Sequence, residues 1–252
     1  MKKLLMISLL HDKYINTSLG TFKISVWNGN TLLVFLNGYG PYDTAQIFQP
    51  IIQSIPKEIG ILAIDYLDSG LSSSSTKPFL LTDEANLVMQ IIQEQNSQKI
   101  IIIAHSLGGL YALLIAQNID QLVGFIGIEP ATREILLNPP HTPAYDRDAK
   151  EDAEITENEI MDLMHNRIYH AFPKDLADKI WITSLDSEKR NRQNKQPHGL
   201  NLELNILDGP EFLNLKLKQM IPTILFVRPY RINEYNHSEY HTKKNVYRSF
   251  RK

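Results

Sequence analysis

Five runs of apolar residues recur along the chain: TLLVFLN (31–37), GILAIDY (60–66), KIIIIAH (99–105), LVGFIGIE (122–129) and TILFVR (223–228). None alternates cleanly between apolar and polar positions. A strand with one wet face alternates, whereas a strand covered on both faces does not, so the runs predict a parallel sheet with helices on either side. Between the runs the period changes to that of a helix. In LTDEANLVMQIIQEQ, the residues Leu87, Val88, Ile91 and Ile92 share one face, and Thr82 or Asp83 can cap the first turn through a side-chain oxygen. After Ser106, the residues Leu107, Leu110, Leu114 and Ile115 form a second stripe. Strand and helix in alternation predict βαβ units and a doubly wound, mostly parallel α/β sheet.

The alternation stops after residue 134. NPPHTP (138–143) suits no regular element, and the segment that follows is acidic at first and helical later. Residues 135–200 therefore read as an insertion between strands. The sheet resumes at Ile221-Pro222, where proline fits the entry to a strand. No Pro/Gly/Ser-rich linker divides the chain, so one domain over 1–252 is expected, and SSSS (72–75) reads as a loop.

Composition narrows this picture. The 252 residues are 43% hydrophobic and 21% charged, enough for a full core. A formal net charge of -2 gives no field to recruit nucleic acid or anionic lipid. The absence of cysteine excludes disulfides, thiolate catalysis and Cys-ligated zinc. The start, MKKLLMISLLHDK, has a short apolar run with no small-residue cleavage site after it, and reads as a first strand rather than a signal peptide. No stretch approaches the roughly 18 apolar residues of a membrane span. A cytoplasmic protein is the expectation.

The chemistry concentrates in AHSLGG (104–109). A strand, then small-x-Ser-x-Gly, then a helix is the pattern of a nucleophile elbow. The turn is so tight that positions two before and two after the serine must be small, and Ala104 and Gly108 are. Ser106 would then stand at the carboxyl edge of the sheet and at a helix N-terminus, where free N–H groups favour a developing anion. The Leu107 N–H is one expected oxyanion donor. LNGYG (36–40) ends the first long strand in a glycine-rich turn that can offer a second, from Tyr39. One well-placed donor stabilises a transition state by about 2.7–4 kcal/mol.

Together, LNGYG, DYLDSGLSS (65–73) and AHSLGG resemble the oxyanion turn, the D-x-x-G-x-G-x-S loop and the G-x-S-x-G-G elbow of the α/β-hydrolase superfamily, in the same order. Asn37, Ala104 and Asp68 stand where the family usually has His, Gly and Gly. The resemblance implies an α/β-hydrolase sheet with a helical lid over 135–200, a small-molecule acyl substrate and no metal or organic cofactor. It also implies a triad in the order Ser, acid, His, with the acid after the seventh strand and the His after the eighth.

After TILFVR, Glu234 and Glu239 are candidates for the acid. Glu129 is a third, since some members place the acid after the sixth strand. NVYRSF (245–250) suits a short eighth strand, but no histidine lies beyond it. His241 and His237 precede it, and His241 is taken as the candidate base. His105 abuts the serine but in an elbow points away from it. His11 lies in the first strand region, and His141, His165, His170 and His198 fall in the insertion. The resemblance thus leads to the expectation that the chain is shortened at its C-terminus. Two readings stay open. One is a serine hydrolase that cleaves an ester, amide or related acyl substrate through an acyl-enzyme on Ser106. The other is a catalytically impaired hydrolase scaffold, lacking the triad His, that binds a small molecule or a partner.

Overall fold

A computed structural model describes residues 10–38, 40–133, 156–193 and 215–249. Its centre is an eight-stranded sheet in the order β1-β2-β4-β3-β5-β6-β7-β8. The five apolar runs form β3 (Thr31–Leu36), β4 (Ile59–Ile64), β5 (Lys99–His105), β6 (Leu122–Ile128) and β7 (Thr223–Val227), all parallel to one another. NVYRS supplies β8 (Asn245–Ser249), parallel to β7. Two strands that the apolar runs do not announce, β1 (His11–Asn16) and β2 (Thr21–Trp27), form an antiparallel hairpin on the β4 edge.

Seven helices occur among the described residues. The short α1 (Thr44–Ile47) and α2 (Gln49–Ile52) precede β4, α3 (Leu81–Gln93) precedes β5, and α4 (Gly108–Ala116) follows it. The insertion contributes α5 (Glu157–Ala171) and α6 (Lys174–Gln193). A 3₁₀ turn (Pro229–Arg231) and α7 (Ile232–Asn236) cross from β7 to β8.

Alternate strand residues feed two separate cores. Leu32, Val34 and Leu36 of β3 join Leu62 and Ile64 of β4 in the core shared with α3 and α4. Phe35, Ile61, Ala63 and Ile103 point the other way, onto Phe48 and Ile52 of the α1–α2 segment. Both faces of the central strands are dry, which is why their sequences read as continuous apolar runs. α5 and α6 form a third cluster through Met164, Ile168, Leu176, Ala177 and Ile180.

Two details differ from the sequence expectation. α3 begins earlier than Thr82, with Leu80 as its N-cap, and Asp83 acts from inside the first turn by accepting the Leu80 N–H at 2.9 Å. α4 is not amphipathic: Leu107, Gly109, Tyr111, Ala112, Leu113 and Ile115 are buried around its whole circumference. A helix apolar on all sides belongs inside the protein, and here α3 packs against it while Pro130 and Tyr240 lie against Gly109.

Below the α1–α2 segment lies a buried ionic network. Lys23 of β2 is 1% exposed, and its Nζ lies 2.6 Å from Asp43 Oδ2, 3.3 Å from Asp12 and 4.0 Å from Asp65. Burial alone would lower the Lys23 pKa, but Asp65, Asp43 and Asp12 raise it overall. Asp43 is also the N-cap of α1, accepting the Gln46 N–H at 2.8 Å. Asp65 Oδ1 and Oδ2 accept the N–H groups of Thr44 and Leu71 at 2.7 and 2.9 Å. Burial and the neighbouring Asp43 push the Asp65 pKa up. The SSSS segment is part of this frame, since Ser72 and Ser73 hydroxyls accept the N–H groups of Lys23 and Thr21.

Candidate functional site

Ser106 occupies the turn between β5 and α4 with φ 48°. A non-glycine residue in the left-handed region costs on the order of 1–2 kcal/mol. The surrounding backbone holds it there. Its N–H donates to Ile128 O at 3.1 Å, and its carbonyl accepts from Gly109 N at 2.9 Å and Ala131 N at 2.8 Å. Close packing explains the small neighbours. A Cβ on Gly108 would meet Asn37 O at 2.6 Å and Leu36 O closer still, and a Cβ on Gly38 would meet Ser106 Cβ at 3.1 Å.

Leu107 caps α4, and its N–H has no backbone acceptor among the described residues. It is placed to act on an anion at the helix N-terminus. The expectation for Tyr39 lies outside the described residues. The preceding Gly38 N–H is engaged by Asn37 Oδ1 at 2.8 Å, leaving Asn37 Nδ2 buried and without a partner among the described residues.

Two cavities flank the serine turn and share Gly38. One, of about 210 Å³, runs past Leu107 and Gly40 to Tyr66, Tyr111 and Glu84, with Glu188 and Asn191 of α6 on its wall. The other, of about 220 Å³, lies between His105 and Asn37 on one side and Arg167, Ile168 and Phe172 on the other. The insertion therefore walls both. α6 is tied down at the first: Asn191 Nδ2 donates to Asp68 O at 2.6 Å, and Arg190 donates to Gly70 O. Asp68, standing where the resemblance expects glycine, takes φ 63° as glycine would and accepts the Ser75 N–H at 3.1 Å.

The predicted base is not brought to Ser106. The register Ile102–Phe125–Thr223–Asn245 puts the start of β8 level with Ile102. Ile102 lies four residues before the serine, a rise of about 13 Å along the strand. His241 precedes β8 and is thus at the opposite, amino edge of the sheet, exposed, with its carbonyl accepting from Gln219 Nε2. Parallel topology is the reason: a loop entering a strand opens on the edge away from loops that leave one. His237 is exposed just after α7, and Glu234 lies within α7. Glu239 Oε1 accepts the Arg133 N–H at 2.6 Å. Among the described residues the Ser106 hydroxyl makes no hydrogen bond with any histidine.

Glu129 does reach the carboxyl edge, one residue past β6, with φ 43°. Both its oxygens already serve, one accepting the Arg228 N–H and the other paired with the Arg231 guanidinium. His105 is half-buried on the serine's strand. Burial lowers its pKa, while the Glu129 charge pulls the other way. His165 stacks on Tyr169 and meets the edge of Trp181 between α5 and α6, and His141 and His198 lie outside the described residues.

A second polar cluster escaped the sequence reading. Glu84 of α3 is 1% exposed; its Oε1 accepts the Leu67 N–H at 2.7 Å and its Oε2 accepts the Tyr111 hydroxyl. Burial pushes its pKa up to about 7, with hydrogen bonds from Tyr111 and Leu67 opposing. The signal was available, because Glu84 stands three and four residues before Leu87 and Val88, on the apolar stripe itself. The raised pKa has a testable sign. The folded state holds this proton more tightly than the unfolded chain, so the contribution is full below about pH 4.5 and is lost as pH rises to about 7. It amounts to about 3 kcal/mol. Urea unfolding of the wild type should therefore lose about that much stability relative to Glu84→Gln between pH 4.5 and 7.5; parallel pH curves would refute it.

With the geometry described, comparisons with known proteins decide the family. The model of the alpha/beta hydrolase family matches residues 33–223, which is most of the chain. The chain belongs to the alpha/beta hydrolase family. None of the curated protein sequences compared with it matches. Among solved structures, the family member is similar to Smu.1393c of Streptococcus mutans at 25% identity and a TM-score of 0.86, covering 96% of this chain and 90% of that one. It is also similar to the haloalkane dehalogenase DatA of Agrobacterium tumefaciens, at 14% identity and a TM-score of 0.64 over 95% and 88% of the two chains. The epoxide hydrolase VrEH1 of Vigna radiata matches at 10% and 0.64 over 96% and 92%. The last two likenesses are of fold. Among the described residues no helix is long and apolar enough to cross a membrane, and no group of three His, Asp or Glu could hold a metal ion.

Proposed function

We propose that this member of the hydrolase family is a serine hydrolase that cleaves an ester, amide or related acyl substrate through an acyl-enzyme on Ser106. The carrying observation is the strained Ser106 itself, held at φ 48° at the carboxyl edge of β5. It stands beside a Leu107 N–H with no backbone acceptor among the described residues and between two cavities. In this reading the Ser106 oxygen attacks the carbonyl carbon, the Leu107 and Tyr39 N–H groups hold the oxyanion, and water then hydrolyses the acyl-enzyme. Residues 135–200, through α5 and α6, form the lid that shapes both pockets of one catalytic domain.

The second reading, a hydrolase scaffold without a working base, rests on a specific observation: His241 lies at the far edge of the sheet. Labelling by a fluorophosphonate probe separates the two, because only an activated hydroxyl reacts fast. The serine-hydrolase reading expects rapid labelling of the wild type that Ser106→Ala abolishes. A well-folded wild type that stays unlabelled leaves the scaffold reading standing. If labelling is fast, replacing His105, His237 and His241 in turn identifies the base.

A further inference from the structure

The cavity beside Leu107 is lined in part by polar residues that hydrolysis at Ser106 does not use. Glu84, Tyr66 and Tyr111 line it together. Both Glu84 oxygens accept hydrogen bonds, but neither comes from a cation. The Tyr66 ring stacks on Tyr111 at 4.2 Å, and its hydroxyl, buried, has no hydrogen-bond partner among the described residues. A buried hydroxyl left unpaired costs about 1–3 kcal/mol, and a buried carboxylate without a counter-ion costs more.

The charged residues among the described lining share one sign. Asp68 follows Tyr66 and Leu67 in the loop after β4, and Glu188 comes from α6. No Lys or Arg is among the described lining residues, and Arg190 of α6 directs its guanidinium to the Gly70 and Ser72 carbonyls instead. Phe79, Tyr66 and Tyr111 supply aromatic surface, which favours cations.

We propose that this cavity is a specificity pocket for an acyl substrate bearing an ammonium group, with Glu84 as its counter-ion and the Tyr66 hydroxyl as a hydrogen-bond acceptor. The assignment rests on Ser106 being the nucleophile. An ammonium seated there gives the Tyr66 hydroxyl a partner and neutralises the buried carboxylate. Because Glu84 titrates near 7 when the cavity holds no cation, binding expels its proton and strengthens as pH rises through that value.

The test is calorimetric titration of the whole chain with n-butylammonium at pH 8, with 1-pentanol and butyrate as neutral and anionic counterparts. Butylammonium should bind. Its Kd should rise at least tenfold in Glu84→Gln, several-fold in Tyr66→Phe, and again in the wild type at pH 6. Tyr66→Phe deletes a hydroxyl with no partner among the described residues and keeps the ring, so it tests the pocket even where Glu84→Gln fails to fold. No butylammonium binding, equal binding of 1-pentanol, or an unchanged Kd in both variants overturns the proposal. Calorimetry does not need the serine to react, and fluorophosphonate labelling does not need the pocket. Labelling without ammonium binding removes this inference alone. Ammonium binding by a protein whose serine never labels removes the acyl-substrate reading and the pocket's assignment to a substrate with it.

Discussion

Lys23→Met is expected to destabilise the protein by about 3–5 kcal/mol, because it removes the cation from a buried network while leaving the anions in place. Methionine fills the lysine stem's volume, so the loss reports charge rather than a cavity. Asp43 and Asp65 are 2% and 1% exposed, and neither can rotate to water without releasing the N–H groups of Gln46, Thr44 and Leu71. For a chain of this length the loss corresponds to a melting temperature lower by roughly 10 °C. The deficit should shrink at pH 5, because burial and Asp43 push the Asp65 pKa up to about 7 and its protonation removes one of the stranded charges. Thermal and urea unfolding at both pH values check this, and a loss below about 1 kcal/mol would show that the three carboxylates do not depend on the lysine.

Gly108→Ala is expected to be the most damaging single methyl group near the serine. The new Cβ would press on the Leu36 and Asn37 carbonyl oxygens, the latter at 2.6 Å. Both are backbone atoms of a strand end and turn fixed on two sides, so no side chain can yield. Relief requires α4 to lift from β3, which breaks the packing of Leu110 and Leu113 and moves Ser106. Overpacking typically costs about 1–3 kcal/mol, and the upper end applies where backbone meets backbone. Fluorophosphonate labelling should fall with stability, by tenfold or more. Wild-type labelling in a stable Gly108→Ala protein would show that the turn has room the geometry denies it.

The sheet was legible because its physics is local. Ile101, Ile102 and Ile103 lie in a strand dry on both faces, and such a strand can only read as a continuous apolar run. β2 was harder. Phe22, Ile24 and Val26 alternate with Lys23 and Ser25, a pattern that says half-wet strand, while Lys23 is in fact buried by carboxylates twenty or more residues away. Glu84 was missed for the same reason: its partners, Leu67 and Tyr111, are distant in sequence. The serine turn was readable from Ala104, Ser106 and Gly108, since sterics at that bend leave few residue choices. His241 was chosen by order along the chain, and order cannot tell the two edges of a sheet apart. The strand register can.

The contacts from Asn191 and Arg190 to the Asp68 and Gly70 carbonyls bear on how interchangeable this protein's parts are. An insertion grafted between β6 and β7 that lacked those two donors would leave both carbonyls without them. The loop after β4 would then lose its outer support, and the pocket wall would fail with it. Recombination at this site should succeed only when the helix pair and the Asp68 loop are exchanged as one unit.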